Sequence, residues 1–240
     1  MHQLGFPPPL HRTLLADVLR NLRADKNVVG ILLVGSLARG TARQDSDIDL
    51  LVVHEHGERS ADRRAYGSIV VETIARTADA WKAQFSPAKA GDESWGYAFL
   101  EGVILHDPNG VVAQLVGAAA EAHAVYRVPS EIAEHLATLW HHVLPKMRDV
   151  LRGGDSVEMG WSVAVMSHPL LQTLWAVNDL PLPSLDLGCL QRRLGDLTVP
   201  ADVPQLVREM LQAPPQRALE LQVSLLEAVA PLLEKQRASE

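Results

Sequence analysis

Cysteine is all but absent: Cys189 is the single one in 240 residues. One thiol excludes an internal disulfide and a cysteine-based zinc site, and it suits a reducing, cytoplasmic compartment. Long apolar runs are missing too, since no window reaches the roughly eighteen apolar residues of a membrane-spanning helix. The opening residues, MHQLGFPPPLHRT, lack the apolar stretch of a signal peptide, and three prolines interrupt them, so an export signal is not expected. A positive excess is lacking as well. The 22 Lys+Arg against 29 Asp+Glu leave a net charge of −7, which argues against a nonspecific grip on nucleic-acid backbone and favours a small or protein substrate. There is no internal repeat or low-complexity tract. With 47% hydrophobic and 21% charged residues, the composition is that of an ordinary globular protein, long enough for one large domain or two small ones.

What is present concentrates in one stretch, ILLVGSLARGTARQDSDIDLLVV, from Ile31 to Val53. Apolar runs at its two ends, flanked by Gly and Asp, read as buried strands. Asp47 and Asp49 are two apart and so share one face of the second strand, while Ile48 and Leu50 turn to a core. Two adjacent carboxylates repel each other unless a cation lies between them. A hard divalent ion such as Mg²⁺ relieves that repulsion, taking one or two carboxylates plus substrate phosphates. Gly35 permits close backbone approach, Ser36 offers a hydroxyl and an N–H at the start of a short helix (Leu37 to Arg39), and Arg39 adds a fixed charge. A phosphate cradle and a pair of metal-binding acids thus lie one hairpin apart, as a nucleoside triphosphate requires.

Around this stretch, Leu14, Leu15, Val18, Leu19 and Leu22 have the spacing of an amphipathic helix over residues 10–26. Residues His54 to Arg64 read as a polar, mobile loop. His54 and His56 flank Glu55 there, a pattern more often solvated than metal-binding. Gly67 to Ala75 is rich in β-branched residues and reads as a third strand, with Glu72 in its middle, where burial is costly without a partner. A helix over Thr77 to Phe85, a loop over 86–94, a helix over Trp95 to Glu101 and a short strand to Leu105 follow. Asp107 reads as a turn or cap residue before a helix over Val111 to Ala124.

Beyond Pro129 strand signals stop. A helix capped at Ser130-Glu131 runs to about Leu151, with a possible kink at Pro145. A second spans Ser156 towards Val177, and shorter ones lie near Cys189 to Leu194, Val203 to Leu211 and Pro215 to Leu233, before a charged tail expected to fray. Glu134, His135, His141 and His142 on the first of these helices read as solvated surface. Trp161 and Trp175, fourteen apart, are expected on one core-facing side. Were that side to border the cleft, Glu158, Trp161 and Asp179 could help bind a cationic acceptor.

Gly35-Ser36, a short spacer and Asp47-Ile48-Asp49 resemble the signature of the nucleotidyltransferase superfamily, which includes DNA polymerase β and the aminoglycoside nucleotidyltransferases. The resemblance implies an α+β fold: a small mixed β-sheet catalytic domain with flanking helices over residues 1–124, then an α-helical bundle over 125–240. It implies that Glu72 supplies a third carboxylate beside Asp47 and Asp49, as metal ligand or general base. Gly35, Ser36, Ser46 and Arg39 would hold the triphosphate, unless Arg39 is pinned to an Asp. The implied reaction, of the EC 2.7.7 type, is Mg²⁺-dependent transfer of a nucleoside monophosphate, AMP from ATP, to a hydroxyl of a small-molecule, aminoglycoside-like acceptor. Two other readings stand beside it: a protein adenylyltransferase of the antitoxin type, and an inactive nucleotide-binding module.

Overall fold

The computed structural model describes residues 9–237, so the first eight residues, with two of the three prolines, and the last three of the charged tail lie outside it. The described residues fall into two compact units. One holds the residues up to Ser86 together with Trp95–Val125, and the other holds Pro87–Ser94 and the residues from Tyr126 onward.

The first unit is built on one five-stranded sheet. Helix α1 (Pro9–Ala24) leads into β1 (Val28–Val34), a one-turn helix α2 (Gly35–Arg39) and β2 (Ile48–His54). The chain then crosses to the sheet edge as β3 (Ser60–Tyr66) and returns between β3 and β2 as β4 (Ile69–Thr77), giving the order β3-β4-β2-β1-β5. Because β4 returns beside β2 rather than folding straight back on it, these two strands are parallel; the other pairs are antiparallel. The sheet is therefore mixed. Helices α3 (Ala78–Lys82) and α4 (Gly96–Glu101) precede β5 (Val103–His106), and α5 (Val111–Ala124) ends the unit.

Strict alternation divides the strand residues between two cores. Ile31, Leu33, Ile48, Leu50, Val52, Ile69 and Val71 pack with Leu15 of α1 and Leu37 of α2. On the other face, Leu32, Val34, Leu51 and Val53 pack with Trp81 of α3, Phe99 of α4, and Val112 and Leu115 of α5. Buried Trp81 donates from Nε1 to the Val52 carbonyl at 3.0 Å, so the indole N–H is not stranded in this core. Thr77 caps α3. The two oxygens of Asp107 accept from the Val112 and Ala113 N–H groups at 3.0 and 2.9 Å, which makes Asp107 a capping residue of α5.

The structure corrects the sequence reading in two places. Residues 60–64, expected within a polar loop, fall in β3 (Ser60–Tyr66), whose seven residues are all exposed. An edge strand solvated on both faces needs no apolar alternation, so the pattern that marks the other strands is missing. The second correction concerns Trp161, which is 72% exposed while Trp175 is fully buried. Pro169 sits inside the helix between them, and only the part beyond it, Leu170–Val177, is buried throughout. An interior proline removes a helical hydrogen bond and bends the axis, so the face does not continue from one tryptophan to the other.

The second unit is helical. Helices α6 (Ser130–Gly153), α7 (Ser156–Val177) and α10 (Pro215–Arg237) carry most of its core, with α8 (Leu187–Arg193), a 3₁₀ turn and α9 (Val203–Gln212) completing it. Asp155 caps α7 by accepting from the Val157 and Glu158 N–H groups. Among the described residues, no helix is long and apolar enough to cross a membrane.

Candidate active site

The acidic residues converge through strand register. Along β2, Asp49 shares a face with Leu51 and Val53, and the parallel pairing places Glu72 of β4 directly beside it. On the other side, Asp49 is opposite Val34, the last residue of β1. Asp47 precedes β2 by one residue and has the parity of Asp49. The acids therefore stand at the end of the same sheet face that α3, α4 and α5 cover further along, where Asp47 and Glu72 keep 39% of their side-chain surface in water. Apolar anchors at Ile48, Leu50 and Val71 hold the opposite face in the core, so neither strand can slip register without burying a carboxylate.

β1 ends at Val34, and Gly35 turns the chain into α2 with φ at +70°. This left-handed conformation suits glycine, and space adds a second demand, because a Cβ at this position would run into Asp49 Oδ2. Ser36 is half-buried at the start of α2. Its carbonyl accepts from Thr41 N–H at 3.0 Å, closing the turn that leads to the acids.

Ser46 is tied down by three hydrogen bonds, one of them from its N–H to the Arg43 carbonyl at 3.3 Å. Its Oγ accepts from the Arg43 N–H at 2.8 Å, and its carbonyl accepts from His11 Nε2 at 2.7 Å. A carbonyl can only accept, so that bond fixes the proton on Nε2. His11 belongs to α1 and is fully buried. It fastens the residue that immediately precedes Asp47 to the first helix.

Arg39 lies 3.9 Å from Glu101 of α4, with both side chains nearly buried. It therefore braces α2 against α4. Two of the acids meet a cation from β3, Arg63: its Nε lies 2.8 Å from Glu72 Oε1 and its Nη2 3.8 Å from Asp47 Oδ2. Arg63 is opposite Glu72 in the β3–β4 ladder, so Arg63, Glu72 and Asp49 form one row across three strands. Sequence reasoning missed Arg63 with its strand, and missed His11 and Glu101 because their partners lie 35 and 62 residues away in the chain.

As a donor set, Asp47, Asp49 and Glu72 fit a hard divalent cation: all are carboxylates, from neighbouring strands, with a glycine packed beneath one of them. Among the described residues no group of three acidic, histidine or cysteine side chains is drawn tightly enough together to hold an ion, and Arg63 occupies Asp47 and Glu72. Elsewhere, Glu134, His135, His141, His142, Glu158 and Trp161 are exposed, while Asp179 accepts from the Val128 N–H at 3.1 Å.

Residues 15–90 match the family described as nucleotidyltransferase domain. Over this segment the chain is similar to a nucleotidyltransferase domain. The match runs from α1 through α3 and contains Gly35, Ser36, Asp47, Asp49, Arg63 and Glu72. Among solved structures, the chain is similar to a nucleotidyltransferase-like protein from Exiguobacterium sibiricum, with 16% identity, a TM-score of 0.43, and coverage of 94% of this chain and 73% of that one. No curated protein matches the chain. The matched segment thus carries the whole acidic row, whereas the helices α6 to α10 lie beyond it.

Proposed function

We propose that the protein is a Mg²⁺-dependent nucleotidyltransferase of the EC 2.7.7 type, acting in the cytoplasm, that moves a nucleoside monophosphate from a triphosphate to a hydroxyl of a small molecule. The observation that carries this reading is the register of Asp49 beside Glu72, with Asp47 flanking them and Gly35-Ser36 at the adjoining strand end.

Asp47, Asp49 and Glu72 would hold the divalent ions. Once bound, such ions neutralise charge on the triphosphate and on both the attacking and leaving oxygens of an in-line displacement. The backbone at Gly35 and Ser36, with the hydroxyls of Ser36 and Ser46, holds the terminal phosphates and aims the α-phosphorus at the acceptor. The acceptor oxygen bonds to that phosphorus as the bond to the bridging oxygen breaks, and pyrophosphate leaves. Glu72 either completes the ion site or takes the acceptor proton. Arg39, 3.9 Å from Glu101, would add a positive charge near the phosphates. ATP is the donor by analogy with the adenylyl transfer that dominates the resembled superfamily. The net charge of −7 suits a cationic, aminoglycoside-like acceptor.

Calorimetric titration with a non-hydrolysable ATP analogue, with and without Mg²⁺, tests the reading. Binding should require Mg²⁺ and vanish in the Asp47→Asn/Asp49→Asn double variant. Nucleotide binding that persists in that variant without metal would replace the enzyme by a nucleotide-binding module.

A further inference from the structure

Resting on the metal-site reading above, the geometry points to Arg63 as a displaceable internal counterion that sets how tightly the site takes a bare divalent cation. Three carboxylates on one sheet face repel one another, and a guanidinium 2.8 Å from one and 3.8 Å from another offsets part of that repulsion. The same carboxylate lone pairs are those a divalent ion needs. Nε of Arg63 holds one lone pair of Glu72 Oε1, and an ion entering beside the guanidinium meets its positive charge at close range. The ion takes Asp47 and Glu72 as Arg63 swings away.

The structure allows that swing. Arg63 stands on the edge strand with 67% of its side chain exposed, and among the described residues that strand pairs with β4 alone. A bare ion must therefore displace a cation to enter. A metal–triphosphate complex arrives with phosphate oxygens that supply ligands of their own, so it depends less on the two acids being free. Arg63 thus biases the site towards the metal–nucleotide complex over the bare metal. Arg64 provides an internal comparison: it lies one residue on, faces the opposite side of the sheet, and pairs with Asp62 at 2.7 Å.

The test is titration of Mn²⁺ alone into the full chain, followed by the signal of free Mn²⁺ in electron paramagnetic resonance. The variants are Arg63→Gln, Arg63→Lys, Arg64→Gln and Asp49→Asn. Exposed ion pairs are weak, so Arg63→Gln should tighten Mn²⁺ binding by about two- to fivefold. Arg63→Lys, which keeps the charge but loses the planar fork, should fall between it and wild type. Arg64→Gln, with the same change in net charge, should match wild type. The rise in melting temperature on adding Mn²⁺ should also be larger for Arg63→Gln than for wild type. If wild type binds Mn²⁺ through Asp49 and Arg63→Gln binds it no tighter, the inference is overturned while the site reading stands. Equal tightening in Arg64→Gln overturns it as well, by reducing the effect to net charge. If neither wild type nor Arg63→Gln binds Mn²⁺, the metal-site reading itself falls.

Discussion

Gly35 lies directly beneath the carboxylate of Asp49, so closely that a methyl group on its α-carbon would occupy the place of Asp49 Oδ2. Gly35→Ala therefore meets both a left-handed backbone and a collision. A non-glycine residue held there costs about 1–3 kcal/mol, and the Asp49 side chain must move besides. Urea unfolding should show a loss of that order. Mg²⁺-dependent nucleotide binding should fall further than in other variants of equal stability. A Gly35→Ala protein with wild-type binding would show that Asp49 is not held where the ion enters.

His11 gives a second test. Replacing it with Ala removes the donor to the Ser46 carbonyl and leaves a partly buried acceptor without its partner, at a cost of about 1–3 kcal/mol. It also unfastens the residue before Asp47. We expect weaker metal binding with unchanged helix content by circular dichroism. His11→Ala with native stability would mean the 2.7 Å bond contributes nothing.

In the helical unit, buried Trp140 donates from Nε1 to Thr173 Oγ1 at 2.7 Å. Thr173→Val keeps the volume and removes the acceptor, stranding an indole N–H in the core. The expected loss is about 1–3 kcal/mol by chemical denaturation. A double variant that also carries Trp140→Phe should lose less than the sum of the two single changes, because both remove the same bond.

Tyr126 predicts a pH effect. Burial, reinforced by Asp179, raises its phenol from 10.0 to about 12. The unfolded chain releases this proton near pH 10 while the folded chain must hold it. Stability is thus unaffected below pH 10 and declines as pH rises from about 10 to 12. Tyr126→Phe should flatten that part of the stability curve. An equal decline in wild type and variant would assign the effect to another group.

The β1–α2–β2 unit was legible in the sequence because each of its parts carries a strong local signal: four consecutive apolar residues, a glycine, and a pair of acids alternating with Ile48 and Leu50. Glu72 was legible for a related reason, a charge set among β-branched neighbours. β3 was not, because Ser60–Tyr66 faces water on both sides and nothing selects apolar residues there. The available cue was the two-residue link Gly67-Ser68 between Tyr66 and Ile69, with Gly67 at φ +67°, a hairpin signal. Overlooking that hairpin concealed Arg63. The packing of residues 87–94 with the helical unit had no local signature either: Ser94 donates its N–H to the Leu182 carbonyl at 2.7 Å, a pairing between positions 88 apart in the chain.

The position of β3 has a bearing on the protein's behaviour at high concentration. Among the described residues no strand pairs with its outer edge, the kind of border on which a second chain can add a strand and start a fibril or aggregate. Charged residues at 62, 63 and 64 point to both sides of that border and repel such an addition. An aliphatic residue at 63 would suit strand geometry better, yet it would open a sticky margin. The arginine proposed to temper the metal site would thereby also serve as a gatekeeper of solubility.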